Sequence, residues 1–310
     1  MKIKIVDLFA GIGGIRRGFE NAIGKKNIEC VMSSEWDKYA VETYLANYPN
    51  ESIKGDITEI EVDEVPDHDI LMAGFPCQPF SQAGLNKGFE DTRGTLFFDI
   101  LRILKHKKPK CFILENVKRL KTHDKGRTLE TIICSLKDIG YNNIHIDVLN
   151  SKDFGLPQNR QRIFIVGFLN EDVDFNFPKS INKKTSVGSI LDEVVDEKYT
   201  ISDKLWAGHK RRKENNKLMG KGFGYGIFDK DSSYTNTISA RYYKDGSEIL
   251  IRQKNKNPRK ITPREAARLQ GFADSFIIPV SDVVAYKQFG NSVSINVIEE
   301  IAKEIKKSLF

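Results

Sequence analysis

Through the first 170 residues, short continuous apolar runs alternate with segments whose apolar residues recur every three to four positions. The runs Ile3 to Leu8, Glu29 to Ser33, Asp69 to Ala73, Lys110 to Leu114 and Ile144 to Leu149 predict strands. Helical spacing predicts helices over Ile15 to Ile23, Lys38 to Tyr48, Thr95 to Lys105 and Thr128 to Ile139. Strands that are apolar on both faces and separated by helices belong to a mostly parallel sheet covered on both sides, an α/β fold. Arg162 to Gly167 adds a strand after a polar loop.

From about Asn170 to Pro258 the pattern breaks down into Lys-, Asn-, Gly- and Tyr-rich sequence with few long apolar runs. Lys210-Arg211-Arg212-Lys213 forms a basic cluster and Gly220 to Gly226 a glycine-aromatic loop, which together predict a small irregular domain. A solvated surface and a phosphate contact are equal readings of the cluster. Order returns at Thr262-Pro263, where an N-cap threonine precedes proline at the first helical position. Between Asn296 and Leu309, Val297, Ile298, Ile301 and Ile305 share one face, predicting a core-facing helix that returns to the first domain. The chain is therefore expected to divide into a discontinuous large domain, 1–185 with 286–310, and an inserted segment, 186–285.

Charge adds a partner class. The 310-residue chain carries a formal +7, which suits a polyanion such as nucleic acid. Cys30, Cys77, Cys111 and Cys134 lie far apart with no C-x-x-C pair, which disfavours a zinc site or a disulfide framework and fits a reducing cytoplasm. No apolar run is long enough to predict a membrane span, and the N-terminus does not read as a signal peptide.

Chemistry concentrates where predicted strands end. Asp69 to Ala73 runs into Gly74-Phe75-Pro76-Cys77-Gln78-Pro79-Phe80-Ser81, which holds a cysteine between two prolines that fix φ and withhold backbone donors. The clamp suggests a reactive thiol and leaves the reaction open; a buried structural cysteine is the alternative. The first predicted strand runs into Asp7 to Gly14, whose glycines admit a ligand close to the backbone and to a helix N-terminus. Arg16 stands where the dinucleotide fingerprint needs its third glycine, so a pyrophosphate cofactor and a nicotinamide oxidoreductase are disfavoured. Glu35 is placed to accept from ribose hydroxyls, Trp36 to lie against an adenine, and Asp56 to accept from an exocyclic amine. Together they suggest an adenosine-containing ligand without a pyrophosphate.

Taken in order, Asp7 to Gly14, Glu35-Trp36-Asp37, Gly55-Asp56-Ile57, Gly74 to Ser81, Arg93 to Phe97, Glu115-Asn116-Val117, Gln158 to Arg162, Arg264 to Gly271 and Gly290 to Val293 resemble the DNA (cytosine-5)-methyltransferases. They are most similar to the single-chain bacterial enzymes of type II restriction-modification systems. The resemblance implies S-adenosyl-L-methionine as cofactor and S-adenosyl-L-homocysteine as product, with no metal. Phe9, Gly11, Gly13, Glu35, Trp36, Asp56, Ile57, Pro76, Leu96, Asn291 and Val293 would line the cofactor pocket. Cys77 would be the nucleophile, Glu115 would hold a proton against ring nitrogen 3, Arg160 would contact the flipped base and its phosphate, and Arg162 would fix the Glu115 region. The target carbon is inaccessible in stacked duplex DNA, so base flipping is implied. Residues 78–95, with Ser81, Lys87 and Arg93 meeting phosphates, are expected to form a lid.

The segment 186–285 would be the target-recognition domain and hinge. Thr237 matches a family position, and Phe223, Tyr225 and Arg241 are candidates for base or backbone contacts, with a CC-containing palindrome (CCGG, CCNGG or CCWGG) as target. A monomer that acts on double-stranded DNA in the bacterial cytoplasm is expected, with no membrane partner and with a cognate restriction endonuclease acting on the same site. A tRNA cytosine-5 methyltransferase and a DNA-binding pseudoenzyme are the competing readings.

Overall fold

The computed structural model describes residues 2–76, 96–222 and 224–310. The chain forms two compact units, Met1–Leu149 with Gln161–Lys179 and Val297–Phe310, and Asn150–Arg160 with Ser180–Asn296. The second unit thus holds all of 186–285 together with residues 150–160, 180–185 and 286–296.

A seven-stranded sheet is the centre of the first unit. Its strands are β1 (Ile3–Leu8), β2 (Ile28–Ser34), β3 (Ile53–Lys54), β4 (Ile70–Gly74), β5 (Cys111–Val117), β6 (Asn143–Asn150) and β7 (Gln161–Phe168), in the order β3-β2-β1-β4-β5-β7-β6. β1 pairs in parallel with β2 and β4, and β4 with β5; β7 runs antiparallel to β5. The sheet is therefore the mostly parallel α/β fold that the alternation predicts. β4 is buried from Ile70 to Ala73 and β5 from Cys111 to Asn116. Burial on both faces explains why these strands read as unbroken apolar runs.

Helices α1 (Gly14–Ile23), α2 (Lys38–Asn47), α3 (Leu96–Lys107) and α4 (Arg127–Asp138) occupy the connections. Two caps show why they begin where they do. Asp37 accepts from the amides of Tyr39 and Ala40 at the start of α2, and left-handed Gly126 opens α4.

In the second unit, α5 (Asp203–Leu218) stands in a stretch that reads as irregular by periodicity, because only His209 of its residues is buried. The small sheet β10-β9-β8 joins β8 (Ile227–Phe228), β9 (Leu250–Ile251) and β10 (Arg259–Lys260). α6 (Pro263–Leu269) starts at a capping box in which Thr262 and Glu265 satisfy each other's backbone amides. The acid Glu265 is fully buried and pairs with Arg259 at 2.7 Å, which ties α6 to β10. α7 (Asp282–Asn291) is the last helix wholly within the second unit, and α8 (Ile295–Leu309) belongs to the first unit from Val297 onward. On α8, Val297, Ile298, Ile301 and Ile305 are buried, and Ile298 meets α1 so closely that a Cβ at Gly18 would lie 2.5 Å from it.

Among the described residues no helix is long and apolar enough to cross a membrane, and no group of His, Cys, Asp and Glu is arranged to hold a metal.

Candidate active site

Strand order reverses at β1, between β2-β1 and β1-β4, and the carboxyl ends of strands at such a switch point are the usual ligand position in open α/β sheets. β1 leads there into a left-handed turn. Phe9 has φ 55°, Gly11 φ 55° and Gly13 φ 81°. Gly11 has open space beside it, with no atom nearer than 3.9 Å to a Cβ built there, so a ligand can approach the backbone. Gly13 is different, since a Cβ there would lie 2.8 Å from the Tyr48 ring. Phenylalanine at positive φ costs about 1–2 kcal/mol, strain of a kind concentrated at functional turns.

Glu35 follows β2 and braces this turn. Its Oε2 accepts from the Gly11 amide at 2.9 Å and its Oε1 from the Asp37 amide at 2.9 Å. Each oxygen keeps a second lone pair for a hydroxyl donor. Trp36 beside it is 74% exposed, so its ring face is open to stacking. Asp56 follows β3, where its Oδ1 accepts from the amide and hydroxyl of Thr58. Ile57 is buried, and its carbonyl accepts from Arg102 at 2.5 Å. Pro76 is exposed and Leu96 is partly buried at the start of α3. Open backbone, an exposed indole and carboxylates at successive strand ends form a donor and acceptor set that fits an adenosine ligand.

Beneath the turn lies a buried polar network that periodicity does not reveal. Arg16 donates to Glu20 at 2.9 Å, Tyr44 at 2.8 Å and Glu51 at 2.7 Å, and its guanidinium lies 3.9 Å from the Tyr48 ring centroid. The residue that breaks the dinucleotide fingerprint is thus a buried cation that locks α1 against α2. The Arg16-Glu20 spacing of i, i+4 was the one sequence signal for it. Asp7 is 1% exposed, and neither carboxylate oxygen meets a hydrogen-bond donor among the described residues. Burial pushes its carboxyl up to about 7, opposed by Arg16 and reinforced by Glu35 and Glu20.

β5 delivers the second cluster. The parallel register sets Glu115 opposite Gly74, and a Cβ on that glycine would lie 3.7 Å from Glu115 Oε2. Glu115 is buried, and its Oε1 meets Arg162 Nε at 3.1 Å. Burial pulls the Arg162 pKa down and Glu115 pulls it up. Asn116 donates to the Phe75 carbonyl at 2.9 Å and accepts from the Val117 amide at 2.8 Å. It therefore holds the backbone that leads into Cys77. Cys77, Ser81, Lys87, Arg93 and Phe223, with the lid segment 78–95, lie outside the described residues.

The second unit brings together Gln158, Asn159 and Arg160 of the Gln158 to Arg162 motif, the Thr237 region and Gly290 to Val293. Gln158 accepts from the Ile238 amide and donates to the Leu269 carbonyl, and Thr237 donates to the Asn159 carbonyl. Arg160 is 1% exposed and donates to the carbonyls of Ile238, Gly290 and Ser292 at 3.2, 3.1 and 2.5 Å. Its guanidinium pins these backbones together, a positioning contact that motif position alone did not predict. Gly290 packs against Ser239 and Ala240 at 2.4 Å from a Cβ position, so no side chain fits there. Asn291 is exposed and Val293 buried. Among the DNA-contact candidates, Thr237 is committed to Asn159, Arg241 is exposed, and Tyr225 packs edge-on against Trp206 with ring centroids 4.7 Å apart.

Comparison with known proteins extends over the whole chain. A family model for C-5 cytosine-specific DNA methylases matches residues 3–307. The chain is 66% identical over 306 residues to Type II methyltransferase M.NlaX of Neisseria lactamica, covering 99% of this chain and 97% of that protein. It is 61% identical to Type II methyltransferase M1.ScrFI of Lactococcus lactis subsp. cremoris, covering 99% and 79%. Among solved structures, the Entamoeba histolytica methyltransferase EhMeth has the same fold, with TM-score 0.80 at 22% identity, covering 100% of this chain and 99% of that one.

Proposed function

The chain belongs to the C-5 cytosine-specific DNA methylase family and is a DNA cytosine-5 methyltransferase; from that premise we propose that it uses S-adenosyl-L-methionine, flips its target cytosine out of duplex DNA and attacks carbon 6 with Cys77. The supporting observation is the β4-β5 register, which places buried, Arg162-paired Glu115 beside Gly74, three residues before Cys77.

Phe9, Gly11, Gly13, Glu35, Trp36, Asp56, Ile57, Pro76 and Leu96, with Asn291 and Val293, would hold the cofactor, which supplies an electrophilic methyl group when bound. The open backbone at Gly11 and the exposed Trp36 support this assignment. The protein's own task is to make carbon 5 of cytosine a nucleophile. Addition of the Cys77 thiolate to carbon 6 converts the ring to an enamine, dividing one hard step into two easier ones. Charge builds at ring nitrogen 3 as the thiolate adds, and a proton held there by Glu115 offsets it. Arg162 orients that carboxyl group. Arg160 keeps the Ile238 and Gly290–Ser292 backbones in register, besides any contact with the base and its phosphate. After transfer, loss of the carbon 5 proton and release of the thiol restore aromaticity.

The segment 186–285 would read the target, with Arg241 free to reach a guanine edge and Thr237, Phe223 and Tyr225 shaping the surface. Ser81, Lys87 and Arg93 would meet phosphates from the lid. A CC-containing palindrome as target, protection of host DNA from a cognate endonuclease, action as a monomer and residence in the bacterial cytoplasm complete the proposal.

Duplex DNA carrying 5-fluorocytosine at the target tests it. A covalent protein-DNA adduct that requires S-adenosyl-L-methionine and is absent in Cys77→Ser is expected. Methyl transfer by Cys77→Ser at the wild-type rate would refute the nucleophile assignment. Bisulfite sequencing of DNA from expressing cells identifies the target.

A further inference from the structure

Helix α5 is exposed along nearly its whole length from Lys210 to its end, and His209 alone among its residues is buried. A helix with so little apolar contact draws stability from something other than a core. Its residues 210–217 include Lys210, Arg211, Arg212, Lys213 and Lys217 against a single acid, Glu214. Arg212 is neutralised by Asp245 at 2.9 Å on the inner side. No carboxylate pairs with Lys210, Lys213 or Lys217 among the described residues.

These three lysines follow Trp206 at i+4, i+7 and i+11, so all four side chains share one face. Two of the ammonium groups are held over aromatic rings. Lys210 lies 5.4 Å from the Trp206 centroid and Lys213 4.3 Å from the Tyr225 centroid. Gly224 fits against the Lys213 stem so tightly that a Cβ would lie 2.7 Å from it. Cations ordered in this way lose less entropy on meeting an anion than free lysines do. From Lys210 to Lys217 the stripe extends about 10 Å at 1.5 Å per residue. One DNA strand carries a phosphate every ~3.4 Å along the axis, so the stripe spans about three phosphates.

We propose that Lys210, Lys213 and Lys217 form a rail on α5 that binds the phosphate backbone of duplex DNA without reading its sequence. Charge complementarity selects this occupant: a face of aromatic-supported cations without carboxylate partners suits a polyanion and not an apolar protein surface. The rail rests on the reading of the chain as acting on duplex DNA, and deepens it by adding an affinity surface apart from the residues expected to read bases.

The test is fluorescence anisotropy with a short scrambled duplex over a salt series, comparing wild type with Lys210→Gln/Lys217→Gln and with the triple variant that adds Lys213→Gln. The double variant leaves the packed Lys213 stem in place, so its fold is preserved even if the triple variant loosens the Gly224 loop; far-UV circular dichroism checks this. The slope of log affinity against log salt is expected to flatten by about 0.9 for each phosphate no longer neutralised, close to 2 in the double variant and close to 3 in the triple. The preference for target over scrambled duplex should stay unchanged, and Lys210→Arg/Lys217→Arg should keep the wild-type slope. A double variant with the wild-type slope would overturn the rail while leaving the enzyme reading intact. Loss of target preference without a change in slope would also overturn it. A wild type that binds no duplex at any salt would remove both the rail and the reading beneath it.

Discussion

Replacing Asp7 by asparagine should remove a pH-dependent loss of stability from the first unit. In the native state burial holds this carboxyl at about 7, against 3.8 for an ordinary aspartate. Between these values the unfolded chain has released a proton that the native state keeps, so unfolding releases a proton and stability falls as pH rises. The contribution is fully present below 3.8 and is lost as pH passes through about 7. At ~1.4 kcal/mol per pH unit, the gap corresponds to about 4 kcal/mol over the whole range.

The asparagine side chain carries no charge at any pH, so the stability of Asp7→Asn should lack this slope. The variant will also bury an amide where the described residues offer the carboxyl oxygens no donor, at a cost of about 1–3 kcal/mol that does not vary with pH. The slope is therefore the informative quantity, and the absolute difference is not. Urea unfolding from pH 5 to pH 8 measures it. The wild-type midpoint should fall with pH relative to Asp7→Asn by the equivalent of one proton, with the denaturant dependence unchanged. Parallel pH profiles for the two proteins would refute the reasoning, because Asp7 would then already be ionised in the native state at pH 5.

Three further outcomes follow from the geometry. Gly13→Ala forces a Cβ at φ 81° to within 2.8 Å of the Tyr48 ring; about 2 kcal/mol of destabilisation in calorimetry and weakened S-adenosyl-L-methionine binding are expected. Arg162→Gln removes the cation that meets Glu115 at 3.1 Å; a fall in kcat with little change in DNA affinity is expected, and Arg162→Lys should recover part of it in single-turnover assays. Arg160→Ala strips hydrogen bonds from three carbonyls in the second unit, and a stability loss of about 3 kcal/mol by thermal unfolding is expected.

Local pattern carried much of the first unit. β1 begins and ends at the residues its apolar run predicts, and α2 starts at Lys38 because Asp37 caps it. β3 escaped notice because two residues have no period, and α5 because a helix with one buried residue has no apolar stripe. The lid expectation concerns residues outside those described. Arg160 has a contact that its motif position did not suggest: it donates to the carbonyls of Ile238, Gly290 and Ser292, brought to it by the fold.

Residue type and spacing were enough for whatever is local or borne by a motif: the strand-helix alternation, the glycine turn after β1, the absence of the dinucleotide spacing and the family. They suffice because φ preferences, caps and periodicity act within a few residues. Which polar groups are taken from water, and what they meet there, was settled only when distant segments packed together. Asp7 is raised toward neutrality because the sheet buries it without a donor among the described residues. Arg16 becomes a structural cation because α2 closes over it, and Glu115 meets Arg162 because β7 turns back beside β5. Desolvation and pairing depend on neighbours tens of residues away, and no local pattern encodes them.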